Sequence, residues 1–534
     1  MCSKSSAFFK TKQNTTPNPR LMKKHQAFLS SSLLITLCTI ATAEISMPAF
    51  FSDGMVLQQE IGSKIWGTAN PNQEVTVSFS GKTATTKSDN NGKWSITLKE
   101  LKASQKGEPL TITAGNEKKE INDVLVGEVW LASGQSNMEW QVSISSSRKS
   151  IQKDNDNLLR VYVSPNRTAA SPATNFPGTW KSTQPENTAS FTAVGYEFAK
   201  VLREKLNVPV GIIECSWGGK PVQSFTSQEA LEKCPEANAM LAQKKSAIEK
   251  YDPQKAKEQH QKALAKWKKM DAEWQKNKKG RRPRQPKKLQ HPALNPNMSS
   301  SIYNGMIAPL IGYGARGVIW YQGESNAKDD QAKNYGELLE CLIQDWRKRW
   351  DSPLSFYYVQ LASFTRNGKN IPNWVDVQDE MRRLLDDSNS KTGHIGMATT
   401  NDIGHPTDIH PKNKKDVGKR LARWALNQDY NMKDIIVSGP LYKSHTIQEG
   451  TIEITFDHAK GLKSRNGKPI NSFEIADADG KWQPAEAKIT GDKIKVSSKS
   501  LSNPTQARYA WHSNPTNANL VNGEGLPTSC FTTK

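Results

Sequence analysis

The chain has 534 residues, of which 36% are hydrophobic and 23% charged, and its formal net charge is +21. This length exceeds what one hydrophobic core supports, so we expect about two to four domains. The positive charge is concentrated in two segments: residues 1–43 hold six Lys or Arg and no acid, and residues 241–291 hold 17 against five acids. The remaining chain is nearly balanced in charge, which argues against nucleic acid as a partner of the folded domains.

The first 43 residues have the pattern of an export signal. A basic pair precedes a mostly apolar stretch at residues 27–40, and Ala41-Thr42-Ala43 fits the small-residue rule for signal-peptide cleavage. The apolar stretch is shorter than the roughly 20 residues that a membrane-spanning helix needs. We therefore predict a signal region at 1–43, with Met22 as a candidate start and cleavage after Ala43. The mature protein would be secreted or periplasmic, without a membrane span.

The cysteines place few constraints on the fold. Cleavage would leave Cys215, Cys234, Cys341 and Cys530, which are too few for a disulfide scaffold but allow one bridge outside the cytoplasm. The Cys and His residues show no metal-ligand spacing, so we predict neither a metal site nor a cofactor.

Residues 44–122 predict an N-terminal β-sandwich. Short alternating stretches are separated by turns that are rich in Gly, Asn and Pro. These stretches lie at residues 75–79, 94–98 and 110–113.

Residues 123–430 alternate between predicted strands and helices, which is typical of a mostly parallel sheet covered by helices on both faces. The strands are predicted at 124–131, 159–163, 210–213, 315–321, 356–361 and 395–399, and the helices at 194–206 and 335–350. A turn at residues 133–137, which contains Ser136, follows the first strand. Ligands bind at the carboxyl ends of strands in such sheets, so Ser136 is a candidate nucleophile. An isolated serine in this position more often caps a helix.

A basic helical insertion is predicted within this domain at about residues 241–291. Trp267 and Trp274 lie seven positions apart, as on one side of a helix, and a Pro-interrupted basic loop follows. The insertion is either a solvated surface element or a contact for an anionic glycan or surface. Beyond it, residues 431–534 predict a C-terminal β-rich domain. Its strands are predicted at 452–456, 473–475, 494–496 and 509–511.

Three polar segments carry candidate chemistry: G-Q-S-N-M at residues 134–138, W-Y-Q-G-E-S-N at 320–326 and D-I-H-P-K-N-K at 408–414. A serine becomes nucleophilic when a base takes its proton, and an imidazole base needs an acceptor that fixes its tautomer. Ser136, His410 and Asp408 are candidates for these roles, in that order. Met138 stands where the motif G-x-S-x-G has its second glycine, which disfavours an ordinary α/β-hydrolase.

With two more segments, S-W-G-G-K-P-V at 216–222 and Y-N-G-M-I-A-P-L at 303–310, these motifs resemble the sialate O-acetylesterase family, a branch of the SGNH hydrolases. The resemblance covers about residues 45–430 in a single order. It implies an SGNH-hydrolase-like parallel sheet flanked by helices, and a serine esterase that removes O-acetyl groups from a sugar, first of all sialic acid. Acetylated polysaccharides such as xylan are the alternative substrate. A non-catalytic glycan-binding protein is a second alternative, against which the intact set of candidate residues argues.

The resemblance also assigns roles to individual residues. Ser136 would form an acetyl-enzyme and His410 would act as base and then as acid. The oxyanion would be bound by the N–H of Ser136, by the Gly218-Gly219 turn and by Gln322, because Ser325 stands where the wider superfamily has its asparagine. The predicted substrate contacts are Gln135, Asn326, Asp402 and Lys220, the last of which replaces a threonine of the family and would reach a substrate carboxylate.

Three carboxylates compete for the role of orienting His410. The superfamily spaces its acid and base as D-x-x-H, whereas Asp408 precedes His410 by two positions. Asp402 and His405 do satisfy that spacing, but His405 lies outside the family segment D-I-H-P-K-N-K. We predict Asp408 as the partner of His410, then Glu324, then Asp402.

Overall fold

A computed structural model describes residues 44–388 and 393–534, with the side chains of all of these except residues 387 and 388. The predicted signal region, with its candidate start at Met22 and its cleavage site after Ala43, lies outside the described residues. Within the described ranges, no helix is both long and apolar enough to span a membrane.

The N-terminal part of the described chain is built mainly from antiparallel strands, and β1 alone among the strands described there pairs in parallel, with β7. In β3 the buried side chains of Val75, Val77 and Phe79 alternate with more exposed ones, as the sequence predicted. Strand β3 pairs with β4 and β6, and β2 pairs with β5. The strands are β1 (Val56–Gln58), β2 (Ser63–Thr68), β3 (Glu74–Phe79), β4 (Lys82–Lys87), β5 (Lys93–Leu98), β6 (Ser104–Ala114) and β7 (Glu117–Gly134).

Strand β7 continues from this β-structure into the mainly parallel sheet of the chain. Its residues 117–126 pair antiparallel with β6, and its residues 128–134 pair in parallel with β10 (Val210–Ser216). The strand predicted at residues 124–131 therefore begins too late, because the polar residues before it give no sign of the pairing with β6. The predicted domain boundary at residues 122 and 123 falls within this continuous strand, and the domain limits remain predictions.

This mainly parallel sheet has the strand order β13-β12-β11-β7-β10-β8-β9, and every neighbouring pair is parallel except β8 with β9. Its remaining strands are β8 (Asp156–Val163), β9 (Thr179–Thr183), β11 (Gly317–Tyr321), β12 (Ser355–Val359) and β13 (Ile395–Ala398). Strands β8, β9 and β10 lie on one side of β7 in the sheet, and the chain then crosses to the other side, where β11, β12 and β13 lie. This reversal opens a crevice at the carboxyl end of β7, where a ligand is expected to bind.

Helices cover both faces of this sheet. Trp130 and Ala132 of β7 face a core formed with α3 and α9, and Val129 and Leu131 face a core formed with α7 and α8. The helices are α1 (Ser136–Glu139), α2 (Pro185–Thr188), α3 (Ala193–Leu206), α4 (Gln228–Leu231), α5 (Asn238–Glu249), α6 (Pro253–Asn277), α7 (Tyr335–Trp350), α8 (Pro372–Ser388) and α9 (Lys414–Gln428). The predicted α/β class with helices on both faces is confirmed.

The basic segment contains α6, and the chain that follows this helix folds back onto it. The indole N–H of Trp267 donates to the carbonyl of Pro283 at 3.1 Å, and Arg282 pairs with Asp271 at 2.8 Å. The loop after α6 therefore has a defined place against the helix, although few of its side chains are buried.

The C-terminal part consists of antiparallel sheets packed around Phe473, Tyr509 and Phe531. The strand predicted at residues 509–511 ends at Tyr509, because Ala510 has φ +51° and leaves the extended conformation. The strands are β14 (Leu441–Gln448), β15 (Thr451–Asp457), β16 (Lys463–Ser464), β17 (Phe473–Ala476), β18 (Gln483–Pro484), β19 (Glu486–Thr490), β20 (Lys493–Ser497), β21 (Gln506–Tyr509), β22 (Leu520–Val521) and β23 (Phe531–Thr532).

Candidate active site

The end of β7 presents Ser136 at the first position of the short helix α1. The residue two positions before it, Gly134, has φ +130°, and a Cβ there would lie 2.2 Å from the carbonyl oxygen of Tyr321. Only glycine allows β7 and β11 to approach so closely at their carboxyl ends. The N–H of Ser136 is among the first N–H groups of a helix, which have no partner within it.

The imidazole of His410 lies directly beside Ser136. Its Nε2 atom is 2.9 Å from Oγ of Ser136, and its ring stacks on Trp140 with the centroids 4.7 Å apart. Burial lowers the pKa of His410 below its usual value of 6.5, the charge of Lys414 lowers it further, and Asp408 opposes both. The ring is therefore neutral at pH 7, and its unprotonated Nε2 atom can accept the hydroxyl proton.

Of the three candidate carboxylates, the structure brings only Asp408 to the ring. Oδ1 of Asp408 accepts the backbone N–H of His410 at 2.9 Å and lies 3.7 Å from Nδ1 of the ring. Asp402 instead forms an ion pair with Arg420 at 2.7 Å. Oε1 of Glu324 accepts the amide of Asn137 at 2.6 Å. Within the described part of the chain, neither Asp402 nor Glu324 contacts the imidazole.

The turn at Gly218 and Gly219 lies against the nucleophile. A Cβ on Gly218 would be 3.3 Å from Cβ of Ser136, and Gly219 has φ +68°, which favours glycine. The N–H of Gly218 donates to Oε2 of Glu139 at 2.7 Å, and Oε1 of Glu139 accepts from Asn166 at 2.9 Å. The N–H of Gly218, one of the predicted oxyanion donors, is therefore engaged by Glu139, which the sequence analysis did not single out.

Gln322 lies at the centre of a buried polar network beneath the site. Its Nε2 atom donates to Oε1 of Gln135 at 3.1 Å, to Oδ1 of Asn326 at 2.8 Å and to the carbonyl of Lys220 at 3.2 Å. Three acceptors share its two N–H groups, so no hydrogen of this amide is free for an oxyanion in this conformation.

Gln135 and Asn326, which the sequence analysis predicted as substrate contacts, are buried in the polar network around Gln322. Only 3% of Gln135 and 0% of Asn326 is exposed. The side chain of Asn326 binds the backbone N–H of Val222 at 3.0 Å and the amide of Gln223 at 3.1 Å. Both amide atoms of Asn326 are therefore paired within the protein, whereas the hydrogen bonds of Gln135 are accepted by its Oε1 atom, from Gln322 and from the N–H of Ser325. The sequence alone does not show whether a polar side chain points inward.

Lys220 lies at the rim of the site. Its Nζ atom donates to Oδ1 of Asn297 at 3.2 Å and stands 5.9 Å from the ring centroid of Trp217. Burial lowers the pKa of Lys220, Glu139 opposes this effect, and the charge of Lys287 lowers the pKa further. Lys287 belongs to the loop after α6, so the field of the basic segment extends to the rim of the site.

Four residues of the site were missed by the sequence analysis: Asn137, Glu139, Trp140 and Lys414. Asn137 and Lys414 belong to the motifs G-Q-S-N-M and D-I-H-P-K-N-K, and Glu139 and Trp140 directly follow the first of these motifs. A lysine beside a histidine in such a segment gives no sign that it is buried, yet Lys414 is 0% exposed. Within the described ranges, no group of three His, Cys, Asp or Glu side chains is arranged to hold a metal ion.

A mostly parallel sheet that places a serine after its central strand, 2.9 Å from a histidine, has the arrangement of a serine hydrolase. The chain belongs to the family of carbohydrate esterases described as sialic acid-specific acetylesterases, whose sequence model matches residues 126–264 and 268–427. This confirms the predicted family, and it makes the chain an enzyme, a carboxylic ester hydrolase.

Individual relatives agree with this assignment. The chain is 26% identical over 502 residues to a sialate O-acetylesterase of Mus musculus, with 87% of this chain and 88% of the relative covered. It is 25% identical over 510 residues to that of Homo sapiens, with 87% of each chain covered. Among solved structures, a carbohydrate acetylesterase of Xanthomonas citri is 33% identical and superposes with a TM-score of 0.77, covering 92% of this chain and 99% of the other.

Proposed function

We propose that the chain hydrolyses O-acetyl groups on sialic acid through an acetyl-enzyme formed on Ser136. The observation that carries this proposal is the 2.9 Å distance between Oγ of Ser136 and Nε2 of His410 at the end of the central strand. Membership of the sialic acid-specific acetylesterase family supports the substrate.

His410 moves the proton in both halves of the reaction. As Oγ of Ser136 attacks the acetyl carbonyl, Nε2 of His410 takes the hydroxyl proton and then gives it to the departing sugar oxygen. The acetyl group stays on Ser136. A water molecule then gives a proton to Nε2 and attacks the same carbonyl, and the proton returns to Oγ as acetate leaves.

Asp408 orients the imidazole in this scheme. Nε2 must be unprotonated to act as a base, so the proton of the neutral ring lies on Nδ1, which faces Asp408. The 3.7 Å separation is long for a hydrogen bond, as is common in free enzymes before the substrate closes the site. Asp408 is about half-exposed, so water weakens its effect on the ring.

The tetrahedral intermediate would be stabilised by backbone donors. The N–H of Ser136 and the turn at Gly218 and Gly219 lie on adjacent sides of the nucleophile, and each such donor typically contributes about 3–4 kcal/mol. The N–H of Gly218 becomes available when Glu139 releases it. Gln322 contributes by holding the carbonyl of Lys220, and therefore this turn, in place.

Lys220 would recognise the carboxylate of sialic acid. Its ammonium lies at the rim of the site, and the field of Lys287 adds positive charge there. An anionic sugar relieves the repulsion between the two lysines, whereas a neutral xylan chain does not. The positive rim therefore favours sialic acid over acetylated neutral polysaccharides.

Release of acetate from O-acetylated sialic acids and from acetylated xylo-oligosaccharides tests this substrate. We expect kcat/KM to be at least about tenfold higher on the sialic acids, and Lys220→Met to reduce only that advantage. Equal or higher kcat/KM on the xylo-oligosaccharides would refute sialic acid as the substrate while leaving the esterase mechanism intact.

We also infer that the enzyme works outside the cytoplasm, on the strength of the predicted signal region. N-terminal sequencing of the protein recovered from the culture medium or periplasm tests this inference. A mature chain that begins at Glu44 supports it, and recovery of the full chain in the cytoplasm contradicts it.

A further inference from the structure

The amide of Asn137 joins the two turns that carry the reactive residues. Asn137 directly follows Ser136, and its Nδ2 atom donates to the carbonyl of Ile409, which directly precedes His410, at 3.1 Å. The same Nδ2 atom donates to Oε1 of Glu324 at 2.6 Å, and Nζ of Lys414 donates to Oδ1. One buried side chain thus links the end of β7, the end of β11 and the start of α9.

The chemistry of the partners fixes the orientation of this amide. A backbone carbonyl only accepts hydrogen bonds and an ammonium only donates them, so Nδ2 must face Ile409 and Oδ1 must face Lys414. A rotation of the amide by 180° would set an acceptor against the carbonyl and a donor against the ammonium. Lys414 therefore locks Asn137 in the orientation that holds the His410 turn.

Burying the ammonium of Lys414 costs free energy, so we expect its position to have a role in the site. The side chain is 0% exposed, and its Nζ atom lies 5.7 Å from the ring centroid of Trp140 and 5.3 Å from that of Tyr321. Trp140 is also the ring on which His410 stacks. A buried ammonium is tolerated when it is paired, and Lys414 has Oδ1 of Asn137 as a hydrogen-bond acceptor, two ring faces nearby and the charge of Glu324 acting on it.

We propose that Asn137, Lys414 and Glu324 form a positioning unit, in which Asn137 fixes Ser136 against His410 and the charge of Lys414 sets the protonation of His410. This inference rests on the roles of Ser136 and His410 given under the proposed function. The three side chains act through the two reacting groups and do not themselves touch the substrate.

The charge of Lys414 lowers the pKa of His410, which is the electrostatic half of the proposal. Burial lowers the pKa of Lys414 to about 7, with Glu324 and Asp408 opposing it, so Lys414 is positively charged below that pH. This is the range in which an imidazole titrates. The charged groups that act on His410 are Lys414 from α9 and Asp408 from its own turn. Lys414 opposes protonation, so His410 remains a base to lower pH than it would without this lysine.

The geometric half is tested with Asn137→Asp, which keeps the shape of the side chain but replaces the Nδ2 donor with an oxygen. An acceptor then faces both the Ile409 carbonyl and Glu324, so the His410 turn is pushed away. We expect kcat on a small acetyl ester to fall by more than about a hundredfold, with KM within about threefold of wild type. A folded Asn137→Asp that retains more than about a third of wild-type kcat overturns this half.

The electrostatic half is tested with Lys414→Gln, and Lys415→Gln is the matched control because Lys415 is exposed on the same helix. We expect the acidic limb of kcat/KM to move to higher pH by about half a unit or more in Lys414→Gln and to stay unchanged in Lys415→Gln. If the acidic limb of kcat/KM has the same midpoint in wild type and in Lys414→Gln, the charge of Lys414 does not set the protonation of His410. A purely structural role of Lys414 would lower the rate without moving the limb.

Folding of each variant is checked by thermal unfolding. If one of the two does not fold, Asn137→Ser or Lys414→Met takes its place under the same criteria, since neither introduces a charge. Failure of the inference differs from failure of the proposed function: an active Ser136→Ala refutes the function, whereas an inactive Ser136→Ala with a fully active Asn137→Asp refutes only the positioning unit.

Discussion

Oδ1 of Asp408 accepts the backbone N–H of His410 at 2.9 Å and lies 3.7 Å from Nδ1 of the same residue. The backbone N–H of His410 therefore holds the carboxylate of Asp408, two positions earlier in the chain, beside the imidazole. This local arrangement explains how a spacing shorter than D-x-x-H can still place a carboxylate against the ring. Glu324 and Asp402, which the sequence left as alternatives, are engaged by Asn137 and Arg420 instead.

We predict that Asp408→Asn lowers kcat on a small acetyl ester by about two to four orders of magnitude, because an amide favours the wrong tautomer of the imidazole. Glu324→Gln should lose only about tenfold, since a glutamine can still accept from Asn137. Asp402→Asn should mainly lower the melting temperature, because Arg420 loses its ion partner. If Glu324→Gln is inactive and Asp408→Asn is active, the carboxylate of the triad is wrongly assigned.

The pH profile of kcat/KM gives a second prediction. A base with a lowered pKa stays unprotonated to lower pH, so the acidic limb should have its midpoint below 6.5. In Asp408→Asn the group that raises the pKa of His410 is lost, and the limb should move to still lower pH. This shift is opposite in sign to that expected for Lys414→Gln. A wild-type midpoint above 6.5 would contradict the burial of His410 as the dominant cause.

The sequence predicts the helices and strands that carry this site better than the side-chain contacts within it. Helix α7 begins and ends at the predicted residues 335 and 350, and the sheet strands follow from short runs of buried β-branched and aromatic residues. Ser136 was predicted because it follows a predicted strand, and His410 because it lies in the polar segment D-I-H-P-K-N-K. Such placement depends on local pattern, which a single sequence displays.

The residues around this pair depend on contacts between distant segments. Lys414 meets Asn137 although 277 positions separate them, and nothing in either segment marks the contact. Gln135 and Asn326 were assigned to the substrate because they are polar and lie in the motifs, yet they point into the network of Gln322. Whether a polar side chain at a strand end faces a ligand or a buried partner is decided by the packing of neighbouring loops.

The basic segment offers a third prediction. Only Ala256 of α6 is buried, so replacing residues 253–290 with a short Gly/Ser linker should leave kcat on a small acetyl ester nearly unchanged. Activity on O-acetylated sialic acid should fall, because the positive field at Lys220 is weakened. Lys287→Ser in the intact protein is the milder test and should reproduce part of this loss. A folded deletion variant that fails on the small ester would show that the segment shapes the active site itself.

A fourth prediction concerns two cysteines. Cys234 and Cys341 are free thiols that line the same surface pocket. In the oxidising environment that the predicted export implies, the two should form a disulfide, detected as one linked peptide pair by mass spectrometry without reductant. Closing a loop of about 100 residues would stabilise the fold by about 5 kcal/mol, so dithiothreitol should lower the melting temperature of the wild type but not of Cys341→Ala. Two free thiols in the exported protein would contradict this prediction.

The central claim is that Ser136 is the nucleophile, and the turnover of Ser136→Ala on a small acetyl ester tests it most directly. The substitution removes one oxygen at the surface of the crevice, so the variant should unfold at the same temperature as wild type. Loss of a nucleophile typically costs several orders of magnitude in rate, and we predict no turnover above the spontaneous hydrolysis of the ester. A folded Ser136→Ala that keeps more than about a tenth of the wild-type turnover would contradict the account.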